Sequence, residues 1–122
     1  MPRLRLLTLL GALGILQAHA LAEVSGTIAA NPNPCTIARG KSTCTSYITW
    51  TTQGVTRARV YLVDMHKKGK EEQEFGTSLD CKGERCRAPW IETGNNYVFT
   101  LYDYSSGNRG AALSSVTVTA TK

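Results

Sequence analysis

The chain has 122 residues, 42% of them hydrophobic and 19% charged, with four cysteines and a formal net charge of +5. That length holds one small domain. Two of the basic residues, Arg3 and Arg5, belong to the extreme N-terminus; the mild surplus left, +3, lacks the clustered Lys and Arg of a nucleic-acid binder.

Arg3 and Arg5 precede an apolar run over residues 6–16, broken only by Thr8, and the run ends in small residues, with Ala20-Leu21-Ala22 matching a small-x-small cleavage pattern. This composition reads as a secretory signal peptide over residues 1–22. The run is short against the roughly 20 residues that a spanning helix needs, so no stable membrane insertion is expected after cleavage. The mature domain is then residues 23–122, in the periplasm or secreted.

A first short strand is expected over residues 24–29. Pro32 and Pro34 follow; they remove two backbone donors and force extended conformations before them, so the first strand leaves its sheet edge there. Arg39-Gly40-Lys41 turns the chain into residues 42–52, Ser-Thr-Cys-Thr-Ser-Tyr-Ile-Thr-Trp-Thr-Thr, which read as one strand rich in β-branched and aromatic residues. The period of two puts Ser46, Ile48 and Trp50 on one face and Thr45, Tyr47 and Thr49 on the other. Trp50 is the inward anchor against which a second sheet packs.

After a turn at Gln53-Gly54, residues 57–63 form a third strand with Ala58, Val60 and Leu62 inward and Arg57, Arg59 and Tyr61 outward. Residues 65–74, with His66-Lys67-Lys68-Gly69-Lys70 and then Glu71-Glu72-Gln73-Glu74, read as a charged, solvated loop. Residues 76–90 are turn-rich, with at most two short strands. Residues 97–102 form a strong strand with Tyr97, Phe99 and Leu101 inward. A flexible turn over residues 105–110 leads to a last strand over 113–119, with Val116 and Val118 inward. No segment of the mature part shows a sustained helical period. Six or seven short strands separated by turn signals make an all-β, antiparallel β-sandwich.

Cys35, Cys44, Cys81 and Cys86 are an even set in a small exported domain and read as disulfides, with three connectivities open. Their spacing, with His66 as the single histidine of the mature part, does not match a zinc site. One histidine in a charged loop offers no triad, and the carboxylates Glu71, Glu72 and Glu74 are placed on a solvated loop rather than across a cleft. No catalytic residue, metal or cofactor is implied, and the expectation is a non-catalytic module.

Trp50, the apolar third strand and the G-x-x-Y-x-F-x-L pattern from Gly94 to Leu101 resemble the immunoglobulin-like and fibronectin type III superfold. More narrowly, GTIAANPNPCTI, STCTSYITW, APWI and SVTVT resemble a group of small bacterial extracytoplasmic immunoglobulin-like domains, which stand alone or are appended to secreted enzymes and surface proteins. The resemblance covers nearly all of the mature chain. It implies a sandwich of about seven strands and brings no catalytic residues, because fold does not carry function. Antibody-type domains join the second strand to the sixth by a disulfide, but the sixth strand here has no cysteine. Domains of the resembled group often keep a pair equivalent to Cys35–Cys44, which together with local pairing of Cys81 to Cys86 gives the simplest connectivity. Tyr97 resembles a tyrosine-corner residue whose hydroxyl ties the preceding loop.

Three kinds of role fit such a domain: a structural or binding module with a partner in the cell envelope or outside it; a carbohydrate-binding module; an inhibitor or immunity protein acting on an enzyme. A sugar would stack on exposed Tyr61, Tyr102 and Tyr104. A protein partner would meet Lys82, Glu84 and Arg85, on a tip closed by Cys81 and Cys86, together with Asn108 and Arg109, the two turns being expected at one end of the sandwich. Trp90, in Ala88-Pro89-Trp90-Ile91, is either a ligand platform or a residue that closes the core, and the second is expected.

Overall fold

The computed structural model describes residues 23–66 and 71–122; the expected signal peptide and the lysine-rich part of the charged loop lie outside these. The described strands are β1 (Ser25–Asn31), β2 (Cys35–Thr36), β3 (Cys44–Gln53), β4 (Ala58–Asp64), β5 (Glu72–Gly76), β6 (Arg87–Ile91), β7 (Tyr97–Asp103), β8 (Ala112–Val118) and β9 (Ala120–Thr121). A four-residue 3-10 turn, Gly83–Cys86, precedes β6. The fold is all-β and sandwich-like. One sheet has the order β1-β3-β6, the other β5-β4-β7-β8, and both are antiparallel.

The alternation read along β3 and β4 holds. Ser46, Ile48 and Trp50 are buried from β3, and Ala58, Val60 and Leu62 from β4. Tyr97, Phe99 and Leu101 of β7 and Val118 of β8 lie on the same sheet as the β4 residues and face those of β3 across the core, to which Ile28, Ala88 and Ile91 also belong. Val116 is only half-buried and packs against this cluster, because β8 is an edge strand with one open flank. Ser46 is the one buried polar side chain among the described residues, and its Oγ donates to the Pro32 carbonyl at 2.9 Å.

Trp50 is fixed from three sides. Its backbone exchanges hydrogen bonds with Cys81. Its Nε1 donates to the Ser78 carbonyl at 3.0 Å, which removes the cost of burying an indole N–H. Gly76 lies against the ring: a Cβ there would come within 2.5 Å of Trp50 Cη2. Phe75 meets Trp50 edge-on at 6.1 Å and Phe99 at 5.1 Å, and Trp90 stacks on Phe99 at 6.2 Å, so an aromatic layer fills the gap between the sheets. Trp90 is half-buried and packs against the core on that side.

Two elements differ from the sequence reading. The acidic run is not part of a loop: Glu72, Gln73 and Glu74 belong to β5, paired with Val63, Leu62 and Tyr61 of β4. Their even spacing puts Glu72 and Glu74 on the outer face and Gln73 with Phe75 on the inner one. The other difference is β2, which pairs in parallel with β9. Beyond Asn31 the chain leaves β3 and joins the end of the last strand, where the Asn33 amide holds Thr117 and Thr119 by hydrogen bonds of 2.9 and 3.2 Å.

The disulfides are Cys35–Cys44 and Cys81–Cys86, with no free cysteine. Two closed bridges mark a protein that matures outside the reducing cytosol. No described helix is long and apolar enough to cross a membrane.

Candidate functional site

The most organised polar surface is the outer face of the four-stranded sheet. β4 presents Arg59 and Tyr61, β7 presents Tyr102, and β5 presents Glu72 and Glu74. The turn after β7 folds back onto this face. It is closed by hydrogen bonds from the Gly110 N–H to the Asp103 carbonyl (2.7 Å), from the Asp103 N–H to the Ala111 carbonyl (3.0 Å) and from the Gly107 N–H to the Tyr104 carbonyl (2.9 Å). Gly107 has φ +94°, a left-handed conformation that costs glycine little. Asp103 braces the turn: its Oδ1 accepts from the Ser105 hydroxyl at 2.6 Å and the Ser105 N–H at 2.8 Å, which holds the carboxyl below its ordinary pKa.

The turn thereby lays Arg109 across the tyrosines. Its Cζ lies 4.1 Å from the centre of the Tyr102 ring and 4.7 Å from that of Tyr61, both within cation–π range. Nη1 and Nη2 donate to the two carboxylate oxygens of Glu72 at 3.3 and 2.8 Å, and Nε donates to the Tyr104 hydroxyl at 3.4 Å. The Glu72 bonds first and the Tyr104 bond second push the guanidinium pKa up, so the charge is permanent. Arg59 repeats the motif: its Cζ is 4.6 Å over the Tyr104 ring, and Nη1 is 3.6 Å from Glu74. Tyr61 meets Tyr102 edge-on at 6.1 Å and stacks on Tyr104 at 6.2 Å.

This arrangement corrects the expected row of three exposed tyrosines. Tyr104 is only 8% exposed, covered by Arg59 and its neighbours, and Arg109 roofs Tyr61 and Tyr102. The three rings do come together, but as the floor of an arginine layer. Glu72, Glu74 and the full part played by Arg59 were missed. The signal was present in the alternation of Glu72 and Glu74 about Gln73, hidden by the polarity of the segment.

The two turns expected to share one end do not meet. Cys81 lies opposite Trp50 and Arg87 opposite Tyr47, so the intervening segment runs along the flank of β3 instead of projecting past Gln53. Lys82, Glu84 and Arg85 are exposed there. Tyr47, on the outer face of the first sheet, donates its hydroxyl to Glu84 Oε2 at 2.8 Å, a bond that pushes the phenol pKa up. Asn108 and Arg109 belong instead to the turn on the other sheet.

Tyr97 occupies the position expected of it. Its hydroxyl accepts from the Glu92 N–H at 3.1 Å and from Asn95 Nδ2 at 3.0 Å, tying the loop between β6 and β7. No protein-family model, curated protein or solved structure matches the chain.

Proposed function

We propose that this is an exported, non-catalytic immunoglobulin-like module that binds a protein partner through the outer face of β5-β4-β7-β8. The sheet orders, the inward Trp50 and the tied Tyr97 hydroxyl support the immunoglobulin-like reading. The observation that carries the binding reading is Arg109, spread over Tyr61 and Tyr102 and held in a two-pronged bond by Glu72. Arginine and tyrosine dominate the energetic centres of protein interfaces. Here they are fixed before any partner arrives, which lowers the ordering cost of association. Both arginines keep more than a third of their side-chain surface exposed, so their outer edges remain free to bond.

A carbohydrate face is the weaker reading, because stacking needs an open ring and Arg109 covers two of the three. An inhibitor or immunity role is compatible with the proposed face and does not require the Cys81–Cys86 segment to project.

The test is quantitative capture of envelope proteins by three forms of the domain, followed by affinity measurement on what is captured. Arg59→Ala with Arg109→Ala is expected to weaken the partner by at least about 2 kcal/mol, roughly thirtyfold. Lys82→Ala with Arg85→Ala, on the other sheet, is expected to leave it unchanged. A partner held at full strength by the first pair and lost by the second would move the site to the Cys81–Cys86 segment. Retention of a glycan and no protein would replace the reading with a carbohydrate one.

A further inference from the structure

A cleft of about 320 Å³ opens between the sheets where β5 and β6 face each other without pairing; Leu62, Asp64, Gln73, Trp90, Glu92 and Tyr97 line it. It lies on the opposite side of β4 from the arginine layer, since Leu62 and Gln73 point inward and Tyr61 and Glu74 outward. We propose that this cleft is a binding site for an organic cation, an alkylammonium or guanidinium group on an aliphatic stem.

Three observations carry the assignment. The first is the wall. Half-buried Trp90 has Phe99 stacked against it at 6.2 Å and Tyr97 edge-on at 5.5 Å, so its ring is held rigidly where it borders the cleft. Beside buried Leu62, it offers apolar surface for a stem and an indole face for a cation. The second is charge. Asp64, at the end of β4, and Glu92, just after β6, bring one carboxylate from each sheet. Neither has a basic partner among the described residues, where the ion pairs are Arg59–Glu74 and Arg109–Glu72. Among the described residues the cleft lining carries two carboxylates and no basic side chain, a local feature separate from the net charge.

The third is order. Asp64 Oδ1 accepts from the His66 N–H at 3.0 Å, and Oδ2 accepts from Asn95 Nδ2 at 3.4 Å. Asn95 also donates to the Tyr97 hydroxyl, which accepts from the Glu92 N–H. One network therefore positions Asp64 and the Glu92 backbone around a tyrosine that is 4% exposed. A metal ion is the weaker occupant: no group of three His, Cys, Asp or Glu side chains converges among the described residues. An aliphatic cation uses the aromatic wall as well as the carboxylates. It can come as a free amine or as a lysine or arginine side chain of another protein.

The two tryptophans make the test internally controlled. Indole N–H resonances of the disulfide-bonded protein are followed while N-acetyl-arginine amide, N-acetyl-lysine amide, spermidine, a Gly-Gly-Arg-Gly-Gly peptide and the neutral N-acetyl-citrulline amide are added. The Trp90 signal is expected to shift with the cations, whereas that of Trp50, bonded to the Ser78 carbonyl, stays in place. Citrulline, which keeps the shape and loses the charge, is expected to bind at least about tenfold more weakly. Asp64→Asn and Glu92→Gln are rim changes that leave the core intact, and each is expected to weaken the cations severalfold. Spermidine binding above the peptide assigns a free amine; the reverse assigns a protein side chain. Equal binding of citrulline and arginine, indifference to both rim variants, or no shift at Trp90 with any cation would overturn the proposal.

Discussion

Trp50 is the largest of the buried side chains described. It is 3% exposed, spans the gap to Phe75, satisfies its own N–H and receives the backbone of Cys81. Trp50→Ala removes the transfer energy of a large ring and leaves a cavity, and a loss of about 3–5 kcal/mol is expected in denaturant melts. The partner position gives the complementary measurement. Gly76→Ala inserts a methyl into space the ring occupies, and overpacking of this kind costs about 1–3 kcal/mol. Combined with Trp50→Ala, the Gly76 change should cost much less, because the ring that it strikes is gone. Additive losses in the double variant would mean that Gly76 is needed for its backbone alone.

At the scale of the element, the turn between β7 and β8 decides what the outer sheet face presents, and Asp103 is its brace. Hydrogen bonds from Ser105 lower the folded pKa of Asp103. A depressed carboxyl contributes stability that is present above its unfolded pKa, near 3.9, and is lost as pH falls through the lower folded value. Asp103→Asn should therefore lower Tm at pH 6, and the gap to the parent protein should close as pH is taken well below 4. A gap that persists unchanged into acid would assign the effect to the shape of the side chain and not to its charge. This turn also marks where the sequence stops being legible. β3, β4 and β7 could be read because each is buried on one face, so apolar and polar residues alternate. β5 could not, because an edge strand with glutamates at its outer positions looks like a solvated loop. Arg109 could not be placed because its position depends on how residues 103–110 fold back, and Tyr104 was read as exposed because the arginine that covers it lies 45 residues away. Trp90 was expected in the core but is half-buried, packed on the core from one side and bordering a cleft that arises only where β5 and β6 leave the sheets unpaired.

For the molecule as a whole, the two disulfides divide the work unequally. Cys35–Cys44 joins β2, which forms a separate two-stranded sheet with β9 at the chain's C-terminal end, to β3 of the three-stranded sheet, so it clamps the β2–β9 pair to that sheet. Cys81–Cys86 closes a local segment beside Trp50. Chain entropy assigns roughly 2–3 kcal/mol to loops this short, with about 0.5 kcal/mol more for the longer one. The sequence separations are 9 and 5 residues, so the Cys35–Cys44 loop is the longer. Removing both bridges would take away roughly 5 kcal/mol, against the total of about 5–15 kcal/mol that a domain of this size has. Replacing Cys35 and Cys44 by serine is therefore expected to cost more in denaturant melts than replacing Cys81 and Cys86. Hydrogen exchange should quicken first at Ile37, whose N–H bonds to the Thr121 carbonyl across the β2–β9 pair. Replacing all four should leave the domain near its unfolding threshold, and reducing both bridges of the parent protein should do the same. If the four-serine form melts within about 1 kcal/mol of the parent, the aromatic layer around Trp50 and Phe99 supplies the stability alone, and the bridges are dispensable to the fold.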